Sequence, residues 1–344
     1  MNTLKQNLPG LVLCLVLAIP AFLLGRLCPV AGGPVIAILS GMVIALFWKS
    51  HGIFSLGIKF TSKKILQYAV ILLGFGLNLE VIVKTGISSL PVIISTIAAS
   101  LITTFVLCKA LHIPTKLGTL IGVGSSICGG SAIAAAAPVI KASDEEIGQA
   151  ISTVFFFNVL AALIFPWFGD FIGFAHDAHA FGVFAGTAVN DTSSVTAAAS
   201  TWDGMWGLGA KTLDEAVTVK LTRTLAIIPI CLGLSFIFIG KEQKSERLTA
   251  GRMVKMIPSF IVMFVIASLI TTICVGGFNI DPAVFKPFKS LSVFMIVAAM
   301  FAIGLNCDLI KLIKTGAKPI FLGLCCALAI TTVCLTVMNV CGIW

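Results

Sequence analysis

Residues 120–141 read LIGVGSSICGGSAIAAAAPVIK, an apolar segment of helix-spanning length with a knot of glycine, serine and cysteine at its centre. Gly124, Ser125, Ser126, Gly129, Gly130 and Ser131 are weak helix formers crowded together, so an unbroken helix is not expected. In lipid every freed backbone N–H or C=O needs a partner, and such a break persists only inside protein or beside a watery cavity. The segment therefore reads as a discontinuous helix of a secondary transporter whose broken middle helps to bind substrate.

The rest of the chain supports a membrane setting. Of its 344 residues 58% are hydrophobic and 11% charged, with mean hydropathy +1.09. A soluble domain carries about 25% charged residues, and a β-barrel shows short alternating segments rather than long apolar runs. Apolar runs fall at 8–27, 34–48, 65–83, 90–111, 117–140, 147–172, 180–200, 213–239, 256–275, 291–309 and 320–343. The expected fold is thus an all-α membrane protein of about eleven transmembrane helices, with inverted-topology repeats and at least one discontinuous helix. The seventh run is the least hydrophobic and is a candidate re-entrant segment. The chain reads as one transmembrane transporter domain over 1–344, with an N-terminal half 1–170 and a C-terminal half 171–344. The run 11–24 with Gly25-Arg26-Leu27-Cys28 after it has neither a small-x-small cleavage site nor a convincing lipid-attachment box, and reads as the first transmembrane helix.

Charge sets an expected orientation. Fifteen of the 23 lysines and arginines fall in connections on the N-terminal side of the membrane, six on the other, and Lys220 and Arg223 lie within the eighth run. The positive-inside rule then puts the N-terminus inside, in the cytoplasm, and the C-terminus outside. The same count accounts for the +9 net charge without nucleic acid. The eleven cysteines are scattered singly apart from Cys325 and Cys326, and read as small buried hydrophobes rather than a disulfide framework.

Two internal echoes are legible. Gly76-Leu77-Asn78-Leu79-Glu80 with Lys84-Thr85-Gly86 matches Gly304-Leu305-Asn306-Cys307-Asp308 with Lys314-Thr315-Gly316, in runs whose separation makes them antiparallel, as an inverted repeat requires. A second echo pairs GVGSSICGGSAIAAAA from Gly122 with GTAVNDTSSVTAAAS from Gly186. Those two share one orientation if both cross the membrane once. Either the seventh run does not cross fully or the echo is shared composition.

Ionisable and polar groups at membrane depth are the candidate functional residues, because an unpaired charge there costs about 2.5–3.5 kcal/mol even on the lenient scale. Asp191, in Val189-Asn190-Asp191-Thr192-Ser193-Ser194, reads as a proton or Na⁺ site or a substrate ligand, or else as a helix cap. Lys220 and Arg223, one turn apart, suit an oxyanion, or else snorkel toward the outer surface with Asp214 or Glu215. Ser125, Ser126, Cys128, Gly129, Gly130 and Ser131 offer hydroxyls and the N–H groups of a half-helix start to an anion, against a role in close helix packing. Asn190 and Thr192 stand opposite them as further substrate ligands. Asn158, alone in Phe155-Phe156-Phe157-Asn158-Val159, reads first as an interhelical hydrogen bonder and is, like Asp191, a candidate for ion coupling.

Other chemistries lack residues. His51, His112, His176 and His179 all fall in expected loops, so a membrane-embedded serine nucleophile has no base. No nucleotide fingerprint or haem ligand set is present, and neither an enzyme, a cofactor nor a metal is expected.

The blocks GVGSSICGGSAIAAAAPVIKASDEEIGQAISTVFFFNVLA, GTAVNDTSSVTAAAS with the following Lys220-Leu221-Thr222-Arg223, and AAMFAIGLNCDLIKLIKTG together resemble the YeiH-type family of bacterial inner-membrane proteins described as sulfate exporters. That family is placed with the cation/proton antiporters and bile-acid symporters. The resemblance implies inverted repeats, a panel-like group, a core group with crossing broken helices, and secondary transport. The expected substrate is a small anion, sulfate or a sulfonate-like compound, exported by alternating access, with H⁺ or Na⁺ as coupling ion. The alternative is an Na⁺- or H⁺-coupled uptake carrier for an organic anion. The bilayer, the anion, the coupling ion and a second copy of the chain in a homodimer are the expected partners.

Overall fold

A computed structural model describes residues 2–27, 33–48, 52–75, 79–174, 176–238, 259–276, 278, 280–306 and 316–344. All regular structure among them is helical: α1 (Asn2–Leu27), α2 (Gly33–Phe47), α3 (Ser55–Phe60), α4 (Leu66–Gly74), α5 (Leu79–Leu111), α6 (Thr115–Ser126), α7 (Gly130–Ile140), α8 (Asp144–Ile172), α9 (Ala178–Ala188), α10 (Thr192–Trp206), α11 (Lys211–Thr224), α12 (Ile227–Phe238), α13 (Ser259–Gly276), α14 (Lys286–Leu305) and α15 (Ala317–Val340). Seven candidate spans among the described residues are long and apolar enough to cross a membrane.

Two groups of helices pack around different partners. In one, α2 lies along α14, α4 along α13 and α14, and α1 against α2, α3 and α14. In the other, α5 lies along α15 and α6, α8 along α6, and α11 along α9 and α10. Helix α10 touches both, reaching α2 and α14.

Residues 117–140, expected to cross the membrane, instead turn back. Lys116, near the start of α6, donates from Nζ to the carbonyl of Lys141, just past the end of α7, at 2.7 Å. Twelve and eleven helical residues laid end to end would hold those two residues roughly 35 Å apart at about 1.5 Å per residue. A Cβ added to Gly124 would lie 2.8 Å from Ile133, so the two arms also pack side by side where a side chain does not fit. The seventh run does the same. The rings of Phe181 in α9 and Trp202 in α10 stack at 4.2 Å, which brings the outer parts of the two arms together. Both broken segments are therefore helical hairpins, their arms side by side where a single broken helix would have kept them in line.

The hairpins enter from opposite ends of α8. The first closes at Lys141, three residues before α8 begins, and the second opens at Ala178, just beyond its end. Their tips, 127–129 and 189–191, meet near its middle at Asn158: the Asn158 Oδ1 accepts from the backbone N–H of Asn190 at 3.1 Å and of Asp191 at 3.3 Å. At the first tip Gly129 has φ +69°, and a Cβ there would touch Asn158 and Asp191 at 3.4 Å. Glycine supplies both the backbone geometry and the closeness.

Other boundaries also move. The basic stretch expected as a connection is helical: a 3₁₀ turn at Gly52–Phe54, α3, and a π turn at Thr61–Ile65 lead directly into α4. The expected third run is divided, its first part forming α4 and its last part the start of α5. The eighth is interrupted at Leu225 and Ala226 between α11 and α12. Gly76, Leu77 and Asn78, and Cys307, Asp308, Lys314 and Thr315, which carry much of the Gly-Leu-Asn echo, lie outside the described residues.

Candidate functional site

Each hairpin tip has two unlike sides. The last carbonyls of α6 and α9 have no further turn to accept from, and the first N–H groups of α7 and α10 have no preceding turn to donate to. The carbonyl side faces α11. Lys220 and Arg223 are both fully buried there. The Lys220 Nζ donates to the Ile127 carbonyl at 2.7 Å and the Val189 carbonyl at 2.9 Å, one from each hairpin. Arg223 donates from Nε to the Ser126 carbonyl at 2.9 Å, from Nη2 to the Ser125 carbonyl at 2.8 Å, and from Nη1 to the Thr187 carbonyl. The Asn190 Oδ1 accepts from its Nη2 at 3.4 Å. Five orphaned carbonyls and two cations thus satisfy one another in a place where either set alone would be costly.

The N–H side opens into a cavity of about 690 Å³ between the two helix groups. Gly130 and Ser131 from the start of α7, Asn158 from α8, and Asp191, Thr192 and Ser193 from the start of α10 form its inner end. The opposite wall, from the first group, carries Lys59, Ser62, Lys63, Gln67 and Asn306. Leu66, Val70, Phe155, Phe260 and Ile303 supply apolar surface between them. Lys59 and Lys63 are exposed, four residues apart, and have no acidic partner among the described residues.

The two half-helix starts are treated differently. Asp191 is the N-cap of α10, its Oδ2 accepting from the Ser193 N–H at 3.0 Å and from the Ser193 hydroxyl. Gly129 is the N-cap of α7 and contributes no side chain, and a Cβ placed on Gly130 would meet nothing within 4 Å. One start is capped by the chain's own carboxylate. The other has no cap from its own N-cap residue; it has open space beside Gly130 and the exposed Ser131 at the cavity, while the Cys128 thiol just before it accepts from the Ala132 N–H.

Set against the sequence, the structure gathers Gly130, Ser131, Asn158, Asp191 and Thr192 at the cavity, keeps Cys128 and Asn190 buried within the tips, and places Ser125, Ser126, Lys220 and Arg223 behind them. Gly129 forms the contact between the tips. Lys220 and Arg223 neither snorkel nor line the cavity, because their donors are taken up by carbonyls that the hairpin turns leave unpaired. Lys59, Lys63, Ser62 and Gln67 escaped the sequence reading. Their signal was present as three lysines in the six residues 59–64, and it was spent on counting connection charge.

A family model described as Conserved hypothetical protein 698 matches residues 9–323. The chain belongs to this family. It is 53% identical over 351 residues to UPF0324 membrane protein FN0533 of Fusobacterium nucleatum, covering 99% of this chain and all of that one. UPF0324 membrane protein SAG1125 of Streptococcus agalactiae matches at 53% identity over 340 residues, 99% of each chain. A UPF0324 membrane protein of Streptococcus mutans matches at 53% over 341 residues, 98% of each. With its apolar helices, this family member is a multi-pass membrane protein.

Proposed function

We propose that the chain is a secondary transporter of a small organic anion, whose negative group binds at the uncapped start of α7. The observation that carries this is the pairing, across one cavity, of an open half-helix N-terminus with Lys59 and Lys63, which have no acidic partner among the described residues. A half-helix start carries a partial positive charge and free donors, which suits an anion in a low-dielectric site. The family resemblance favours sulfate or a sulfonate-like compound. The size of the cavity and its Leu66, Val70, Phe155, Phe260 and Ile303 wall favour a sulfonate or other anion with an apolar body, since pockets of about 300–1,000 Å³ hold organic ligands rather than bare ions.

In this reading the chain works as one transmembrane unit of nine crossing segments and two hairpins, eleven elements in all. The two hairpins, each followed by a helix that continues past the tips, form an inverted-topology pair; opposite entry also removes the parity conflict of the second sequence echo. The bodies that move are the two helix groups, each drawn from both halves of the chain, and alternating access is their relative rocking around the tips. Turning the first hairpin back puts Lys141 on the side of Lys116, which strengthens the basic bias of the cytoplasmic face. The cavity then opens toward the cytoplasm of the inner membrane, as export requires. Uptake of the same anion is the second reading, and the direction of the driving gradient separates the two.

Asp191 is the coupling residue. Asp191→Asn keeps a side chain that caps α10, so the protein folds, and counterflow persists while dependence on a pH gradient disappears. Proteoliposomes loaded with sulfate, aliphatic sulfonates and carboxylates provide the assay. Saturable counterflow of a sulfonate, reduced at least tenfold by Lys59→Ala with Lys63→Ala, is the expected result. Absence of counterflow across the panel, or product formation without transport, would sink the reading.

A further inference from the structure

Half-helix C-termini and unwound carbonyls at a hairpin junction are where transporters of this architecture coordinate a coupling cation. In this chain the junction offers the carbonyls of Ser125, Ser126, Ile127, Thr187 and Val189, and all five already accept from Lys220 or Arg223. We propose that Lys220 and Arg223 are tethered substitutes for a monovalent metal cation, so that the junction takes no Na⁺.

The geometry is specific to this role. Both residues project from one turn of α11, itself packed against the second hairpin, and each bonds carbonyls of both hairpins. The ammonium bridges Ile127 to Val189 much as a coordinated ion would, and the guanidinium spreads over the preceding carbonyls of each arm. Neither makes an ion pair with an acidic side chain among the described residues. Their positive charge answers backbone dipoles, which cannot be protonated away. A cation supplied from solution would leave and return; one supplied by α11 cannot. The acid on the open side of the tips, Asp191, is then left as the group available for coupling. That last step rests on the transporter reading, whereas the tethered-cation assignment does not.

The test reads the melting temperature of purified protein, which requires no transport. In Na⁺, K⁺ and choline chloride at equal ionic strength the wild-type chain is expected to melt at one temperature, and a Na⁺-specific rise would overturn the proposal. Lys220→Ala frees the Ile127 carbonyl, leaves the Val189 carbonyl only the 3.5 Å bond from Arg223 Nη1, and opens space for a small cation. Methylammonium or Na⁺ should then raise its melting temperature by about 3 °C at concentrations well above Kd. Lys220→Met fills the same space without charge and should be destabilised and not rescued. Wild-type stability in Lys220→Met with no cation rescue of Lys220→Ala would show the lysine to be packing alone. Should neither variant fold, the wild-type cation series decides by itself.

Discussion

The two hairpins perform the same manoeuvre with different materials. The first is built from glycine, alanine and serine, and its arms lie together because Gly124 leaves room for Ile133. At its outer end the exposed bond from Lys116 to Lys141 links the arms. The second is anchored by aromatic packing: Trp202 stacks on Phe181 and meets Phe174 edge-on, all three buried. Asp203 then accepts from the N–H groups of Thr212 and Leu213 at 3.0 and 2.9 Å, tying the returning arm to the start of α11. The difference teaches that the second hairpin brings its own carboxylate to its own half-helix, while the first leaves its half-helix start to a glycine.

The largest effect that separates them lies at the outer ends. Trp202→Ala removes the stacked ring from a buried cluster and is expected to cost about 3–5 kcal/mol. Lys116→Ala removes one exposed bond and should stay within about 0.5 kcal/mol. Denaturation of purified protein, followed by tryptophan-independent circular dichroism, checks both. Comparable losses would erase the distinction between a braced and an unbraced hairpin.

At the tips the order reverses, since the first tip has the stricter backbone. Gly129 sits at φ +69°, ψ −129°, a region that other residues occupy at a cost of about 1–3 kcal/mol. Gly129→Ala adds that strain and presses on Asn158 and Asp191. Gly130→Ala, whose Cβ meets nothing, should leave stability unchanged and weaken anion binding by partly filling the cavity. Melting temperatures paired with KM for counterflow separate these outcomes, and equal melting temperatures for the two variants would refute the strain at Gly129.

This contrast also marks how far sequence alone could go. The break in 120–141 was readable because six poor helix formers in an apolar run have no stable continuous helix. Its consequence was not, because a Gly-Gly pair permits a kinked crossing helix and a hairpin alike. What decides is the positive φ at Gly129 and the packing of Gly124 on Ile133, a contact between arms that no local pattern encodes. Asp191 was legible as a polar exception in an apolar chain, and in the structure it caps α10 and lines the cavity. Lys220 and Arg223 were found as residues but not as roles, since their partners are main-chain carbonyls, which carry no sequence signature. Lys59 and Lys63 were hidden by the opposite effect, an amphipathic helix whose charged face looks like a connection until its partner wall is in place.

The smallest expected effect is at the mouth of the second hairpin. His179, the second residue of α9, places Nδ1 2.9 Å from the Glu215 Oε1, while the Glu215 Oε2 accepts from the Thr85 hydroxyl of α5 at 3.2 Å. The hydrogen bond to Glu215 raises the His179 pKa above its ordinary value, against the opposing effect of partial burial. Because the folded value lies above the unfolded one, about 6.5, the pair stabilises fully below about pH 6.5 and loses that contribution as pH rises through the raised value. His179 is 47% exposed, so solvent screening holds the gain to about 0.5 kcal/mol or less. His179→Gln should therefore lower the melting temperature slightly at pH 6 and leave it unchanged at pH 8.5, with no counterpart for Lys116→Ala at the mouth of the first hairpin. A difference between wild type and His179→Gln that grows with pH would mean that the neutral imidazole is the stabilising form, and the two hairpin mouths would then differ in packing but not in charge.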